Sequence, residues 1–260
     1  MRPTATSRTR ITASLLLLAG SAAAAPAPAA PRGRPAEYEA AQRFMRGGSS
    51  WQPMEELVGR LEFEGRQPAR EVTLGSYYRA LDWLKLGGFL SFRSGVRHDD
   101  DWSKSPQGVW EWRDVSDRTE PVLVLDATPR ATLPWLPGRS WVGAVKARFE
   151  QDWYDGQSVL RLEPELSYFY MEGLQPLWHV SARYEAALDL NFGPQEVGEQ
   201  WVYLTALWHA PHDWVAGPHV AVGEQVFGTS RAFSDATGGA ASYVVRWQSM
   251  RLGFDVVRRF

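Results

Sequence analysis

Apolar and polar residues alternate along most of the chain after residue 50. Residues 141–170, WVGAVKARFEQDWYDGQSVLRLEPELSYFY, carry the pattern most plainly. Trp141, Gly143, Val145, Ala147 and Phe149 share one phase; Ala144, Lys146, Arg148 and Glu150 share the other, with Val142. Further on, Leu160, Leu162, Pro164, Leu166, Tyr168 and Tyr170 alternate with Arg161, Glu163, Glu165 and Ser167. A period of two places successive side chains on opposite faces, so these are two strands, each with one apolar and one polar side. Asp155-Gly156 between them is a strong signal for a two-residue type I′ hairpin turn. With those two residues at the centre, facing partners have numbers summing to 311. Lys146 then meets Glu165, Arg148 meets Glu163 and Glu150 meets Arg161, all of opposite charge. On the apolar face Trp141 meets Tyr170, and Gly143 lies beside Tyr168, whose ring would cover the bare backbone.

The next segment repeats the pattern. Trp178, Val180, Ala182, Tyr184, Ala186, Leu188, Leu190 and Phe192 form one unbroken apolar face, opposite His179, Ser181, Arg183, Glu185, Asp189 and Asn191. A run of this length exceeds the usual five or six residues of a soluble strand. Further strands are expected near 55–65, 70–80, 84–97, 120–134, 199–211, 214–228 and 242–260. The faces of 199–211 do not follow from its pattern, and 242–260 changes phase near Gln248-Ser249. The expected fold is all-β: an antiparallel up-and-down transmembrane β-barrel of ten strands. It has twelve if Gln248-Ser249 is a turn and 108–115 supplies another strand. With ten, the two longest connections, 98–119 and 229–240, share one side, and short turns occupy the other.

Aromatic residues sit at both ends of the apolar faces. Trp141, Tyr168, Tyr170 and Trp178 mark one end, Trp153 and Phe192 the other. From Trp141 to Trp153 a tilted strand climbs roughly 30 Å, against an apolar band of about 25 Å in membrane barrels. A soluble sandwich or lipocalin-like barrel would also explain the alternation, but not the paired aromatic ends.

Composition sharpens the picture. All 13 tryptophans follow residue 50, and the chain has no cysteine. Arg2, Arg8 and Arg10, a short apolar stretch from Ile11 to Ala19, and Ala22-Ala23-Ala24 read as a signal peptide over residues 1–24. Its removal takes away three arginines and no acids, so the formal net charge goes from −2 to −5. That balance, with no basic patch, argues against nucleic acid. Residues 25–54, rich in Ala, Pro and Gly, read as a disordered periplasmic segment with at most a helical turn at AEYEAAQRFM. The barrel would occupy 55–260.

In such a barrel the polar faces point inward. Lys146, Arg148, Glu150, Arg161, Glu163, Glu165, Arg183, Glu185 and Asp189 would line the lumen, with Lys85, Arg93, Asp126 and Arg130. Their mixed signs suit a salt-bridge lattice or a narrow polar pathway. His98, Asp99, Asp100 and Asp101 form an acidic external loop. His209, His212 and His219 surround one hairpin but lack the spacing of a zinc protease. No nucleophile has an evident base, so neither an enzyme, a metal nor a cofactor is expected.

The chain ends RLGFDVVRRF. Alternation carried to a terminal phenylalanine, with export, aromatic girdles and no cysteine, resembles the Gram-negative outer-membrane β-barrel proteins. The resemblance covers residues 55–260 and the signal peptide. It implies insertion into outer-membrane lipid by the barrel-assembly machinery, with Phe254, Val256 and Phe260 as the assembly signal. Arg258, in the same phase, departs from that signal. The resemblance also implies a porin-like passage for small polar solutes. The alternative is a closed barrel that acts through its external loops, and more remotely a membrane-embedded hydrolase.

Overall fold

The computed structural model describes residues 36–45, 50–62, 68–94, 101–104, 110–113, 119–138, 140–153, 156–191, 197–228 and 244–259. All regular structure among them is strand. In chain order the strands are β1 (Ala36–Met45), β2 (Trp51–Glu62), β3 (Pro68–Leu81), β4 (Leu84–Ser94), β5 (Asp101–Lys104) and β6 (Trp110–Arg113). They continue with β7 (Glu120–Thr132), β8 (Trp141–Asp152), β9 (Ser158–Glu172), β10 (Gln175–Asp189), β11 (Val197–Ala210), β12 (Trp214–Gly228) and β13 (Val244–Arg259). Eleven of them close into one barrel, in the order β1-β13-β12-β11-β10-β9-β8-β7-β4-β3-β2.

The ten strands expected from the alternation are all present. The eleventh is β1, which lies in the segment expected to be disordered. It inserts between the last strand and β2, antiparallel to β2 and parallel to β13. An odd number of up-and-down strands leaves the first and last running the same way, so closure requires one parallel pair. The expectation of a wholly antiparallel barrel is corrected at that seam. Eleven lies between the ten and twelve strands expected; among the described residues β6 pairs with β5, in a separate two-stranded sheet. Residues 244–258 hold no turn or register shift: β13 pairs β12 continuously from Val244 to Arg258, with Gln248 outward and Ser249 buried.

The two longest connections, 95–119 and 229–243, open at one mouth. At the other lie 82–83, 173–174 and 211–213. The 211–213 turn contains no glycine; His212 and Asp213 take the left-handed backbone themselves, at φ 62° and 61°. β1 starts at the long-connection mouth and β13 ends at the short-turn mouth. Ala36 therefore lies at the long-connection mouth.

The β8–β9 register is two residues from the expected one. Lys146 faces Glu163 and Arg148 faces Arg161, so facing numbers sum to 309. The cause is the turn. Asp152 N–H donates to the Gln157 carbonyl at 2.8 Å, which makes 153–156 a four-residue loop. Gly156, at φ 79°, is its last residue and not one of two central ones. A shift of two leaves every side chain on its expected face. It does re-pair the aromatics: Trp141 faces Tyr168, not Tyr170. Gly143 is approached by Leu133, and the Tyr168 ring instead lies against Gly138.

Two prolines interrupt the ladders of this wall. The β7–β8 pairing stops at Ala127–Ala147 and resumes at Arg130–Ala144, beside Pro129. The β9–β10 pairing skips the positions beside Pro164. Each ring removes a ladder N–H. On the outer surface there, Pro129, Gly143, Val145, Pro164 and Ala182 help line an apolar groove of about 780 Å³.

Candidate functional site

The polar phases of β8, β9 and β10 all face the interior, so their charges must neutralise one another. Glu150 is the hub. Its carboxylate meets Arg93 at 2.9 Å, Arg161 at 3.3 Å and Arg148 at 3.9 Å. Arg161 continues to Glu185 and Glu199, both at 2.9 Å. Lys146 and Arg183 share Glu163, at 2.7 and 3.6 Å. Arg148 reaches Asp126 at 3.6 Å, and Arg93 reaches Glu71 at 3.1 Å. Asp189 accepts from Gln157 at 3.0 Å, and Glu165 accepts from the Ser167 hydroxyl at 2.7 Å. The expected Arg148–Glu163 pair is replaced by this lattice because of the register shift.

Apart from Arg148–Glu150, which lies within β8, each of these ion pairs joins strands that are adjacent, or next but one, around the barrel. Arg93 on β4 reaches over β7 to Glu150 on β8, and Arg161 on β9 reaches over β10 to Glu199 on β11. The lattice follows the wall. Several buried polar atoms, Arg148 Nε, Arg183 Nε and Asp126 Oδ1 within it and Gln225 Nε2 and Ser249 Oγ on β12 and β13, have no protein hydrogen-bond partner among the described residues.

The remaining wall is less polar. Met54, Tyr77, Phe89, Val122 and Val124, from β2, β3, β4 and β7, form an inward apolar cluster. Tyr77 ties it to the charges: its hydroxyl lies 3.4 Å from Asp126, and the Lys85 ammonium stands 3.9 Å over its ring. On β11, Trp201 and Tyr203 also face inward and are buried. Arg251 stacks 3.7 Å over Trp201 and donates to the Tyr203 hydroxyl at 2.8 Å, while Arg183 lies 4.3 Å over Tyr203. Cation–π contacts of this kind hold cations against a wall that has few carboxylates. Sequence reasoning missed these two residues because Val202 and Leu204, in the opposite phase, are apolar as well. With both phases apolar, neither marks the inside.

The seam has its own contacts. His219, buried on β12, takes Asp255 at 2.8 Å on Nδ1 and lies 3.5 Å from Glu39 of β1 on Nε2. Arg43 of β1 forms an ion pair with Glu56 of β2, with its Nε at 2.9 Å. Gly253 makes room for this arrangement: a Cβ there would stand 2.1 Å from the His219 ring and 2.7 Å from the Glu39 carbonyl. The three histidines grouped by sequence are thus separated. His219 belongs to the seam, His212 to a turn, and His209 meets His179 of β10.

Aromatic rings crowd the outer surface near the short-turn mouth. Trp141 and Tyr168 stand 4.9 Å apart, Tyr170 and Trp178 stack at 5.1 Å, and Trp51 and Tyr78 stand at 4.9 Å. Trp153 is exposed near the other mouth. Phe254 and Val256 lie in β13 on the outer face, and Arg258 sets its guanidinium 5.0 Å over the Trp214 ring. Phe192, Phe260, His98, Asp99 and Asp100 lie outside the described residues; Asp101 opens β5.

Compared with protein-family models and with curated proteins, the chain matches none.

Proposed function

We propose that the chain is an outer-membrane barrel of a Gram-negative bacterium through which small polar solutes pass. The observation that carries this reading is the course of the ion pairs. They run along the wall between near neighbours instead of bridging the diameter, which favours an axial path for water. The connection asymmetry, long at one mouth and short at the other, is the pattern of barrels with external loops and periplasmic turns. The reading is non-catalytic; the inward Ser167 hydroxyl is spent on Glu165 and not on a histidine.

The test is single-channel conductance of the purified protein in a planar bilayer. Stable, stepwise currents are expected, with ion selectivity altered by Arg183→Gln. The apolar cluster around Phe89 favours a second reading, a closed barrel that acts through connections 95–119 and 229–243. Silence from a preparation whose heat-shifted gel mobility shows it to be folded would select that second reading.

A further inference from the structure

His179 on β10 and His209 on β11 stand 30 positions apart in sequence, and no short motif joins them. The barrel brings them together on its inner wall near the short-turn mouth. His179 Nδ1 and His209 Nε2 are 2.8 Å apart. Phe169 of β9 stacks on the His179 ring at 4.8 Å and lies 6.3 Å from the His209 ring, so a third strand braces the pair. The two imidazoles are inclined at 59° to one another.

That separation is informative. Two imidazole nitrogens, each about 2.0–2.1 Å from one metal ion, stand about 2.9 Å apart if they subtend a right angle, and about 3.3 Å apart at a tetrahedral angle. The observed 2.8 Å is close to the first. Right-angle coordination by nitrogen belongs to the square-planar and octahedral ions, Cu²⁺ and Ni²⁺ foremost. We infer that His179 and His209 form a cis pair of ligands for a first-row divalent cation of this type. As the structure stands, one ring donates its N–H to the other. Binding needs the donor to carry its proton on the opposite ring nitrogen, with both imidazoles neutral, and each ring to turn by about 45° from the line of their hydrogen bond toward a shared apex. Among the described residues no group of three or more His, Asp, Glu or Cys side chains converges. Positions of the cation that protein ligands leave open are filled by water or by small ligands that travel with it. A site with two protein ligands on an inner wall holds a cation briefly and lets it go, which suits passage better than storage. The binding itself does not depend on conduction and can be measured on a closed barrel.

The test is calorimetric titration of CuCl₂, NiCl₂ and ZnCl₂ into the untagged, folded protein, with heat-shifted mobility as the control for folding. One Cu²⁺ or Ni²⁺ per barrel is expected, with Cu²⁺ tightest. Replacing one ligand, His179→Ala or His209→Ala, should weaken binding by more than about tenfold, and the double replacement should abolish it. Unchanged binding in the folded double variant would overturn the inference. The unaltered protein provides a second readout should the variants fail to fold. Its Cu²⁺ electron paramagnetic resonance spectrum should show coupling to two imidazole nitrogens, and coupling to one or none would equally overturn it.

Discussion

The β8–β10 wall and the β13–β1–β2 seam solve the same problem, joining neighbouring strands around a polar interior, with different resources. Across the wall, Glu150, Glu163, Glu185 and Glu199 each meet at least one cation, and Arg161 alone meets three carboxylates. No single contact sets the wall's register, because Glu150, Glu163 and Arg161 each have at least two partners. Among the described residues the seam has polar links from β1 that include Glu39 to His219 and Arg43 to Glu56, and it depends on the space left by Gly253. The wall is over-determined by charge. The seam is decided by shape, at the one place where a parallel pair must close the barrel.

Removing the hub of the wall should have the largest effect. Glu150→Ala leaves Arg93, Arg148 and Arg161 facing one another without their shared carboxylate. Breaking a buried ionic group in this way costs about 3–5 kcal/mol, which would appear as a lower urea midpoint for unfolding in detergent. A midpoint shifted by less than about 1 kcal/mol would show that the wall is hydrated enough to do without its hub.

At the seam, Gly253→Val should cost about 1–3 kcal/mol, because the new side chain must displace the His219 ring or the β1 backbone. The comparison becomes sharper if this variant also makes β1 sensitive to added protease while β8–β10 stay protected. Equal protection of both regions would mean that the seam is as firmly held as the wall.

The register of the wall can be probed at about 0.2–1 kcal/mol per facing pair. Lys146→Glu should destabilise, and adding Glu163→Lys should recover most of the loss, since these residues face each other. The matching exchange of Arg148 with Glu163 should give no such recovery.

The smallest energetic effect, and the most direct geometric one, comes from cross-linking. The chain has no cysteine, so engineered pairs report without background. Ala40→Cys with Phe254→Cys, facing positions on β1 and β13, should form a disulfide under mild oxidation. Gly59→Cys with Phe254→Cys should not, because β1 stands between β2 and β13. The opposite result would describe a ten-stranded barrel that closes without β1.

How much could be read in advance follows from the same contrast. Where one phase was apolar and the other charged, as in Val145, Ala147 and Phe149 against Lys146, Arg148 and Glu150, the inward face was plain. Where both phases were apolar, as at Trp201 to Leu204, it was not. In β1 the outer phase runs Tyr38, Ala40, Gln42 and Phe44, too mixed to announce a strand.

The alternation of side chains by itself determined that the chain is all-β, where ten of its strands lie, and which phase of most strands carries the inward charges, because a period of two is a local property of each strand. Only the tertiary structure decided the rest. The eleventh strand, the parallel seam, the two-residue register shift and the meeting of His179 with His209 all depend on which strands become neighbours and how a loop sets their offset. Those are properties of closure around the whole barrel, and no single segment carries them.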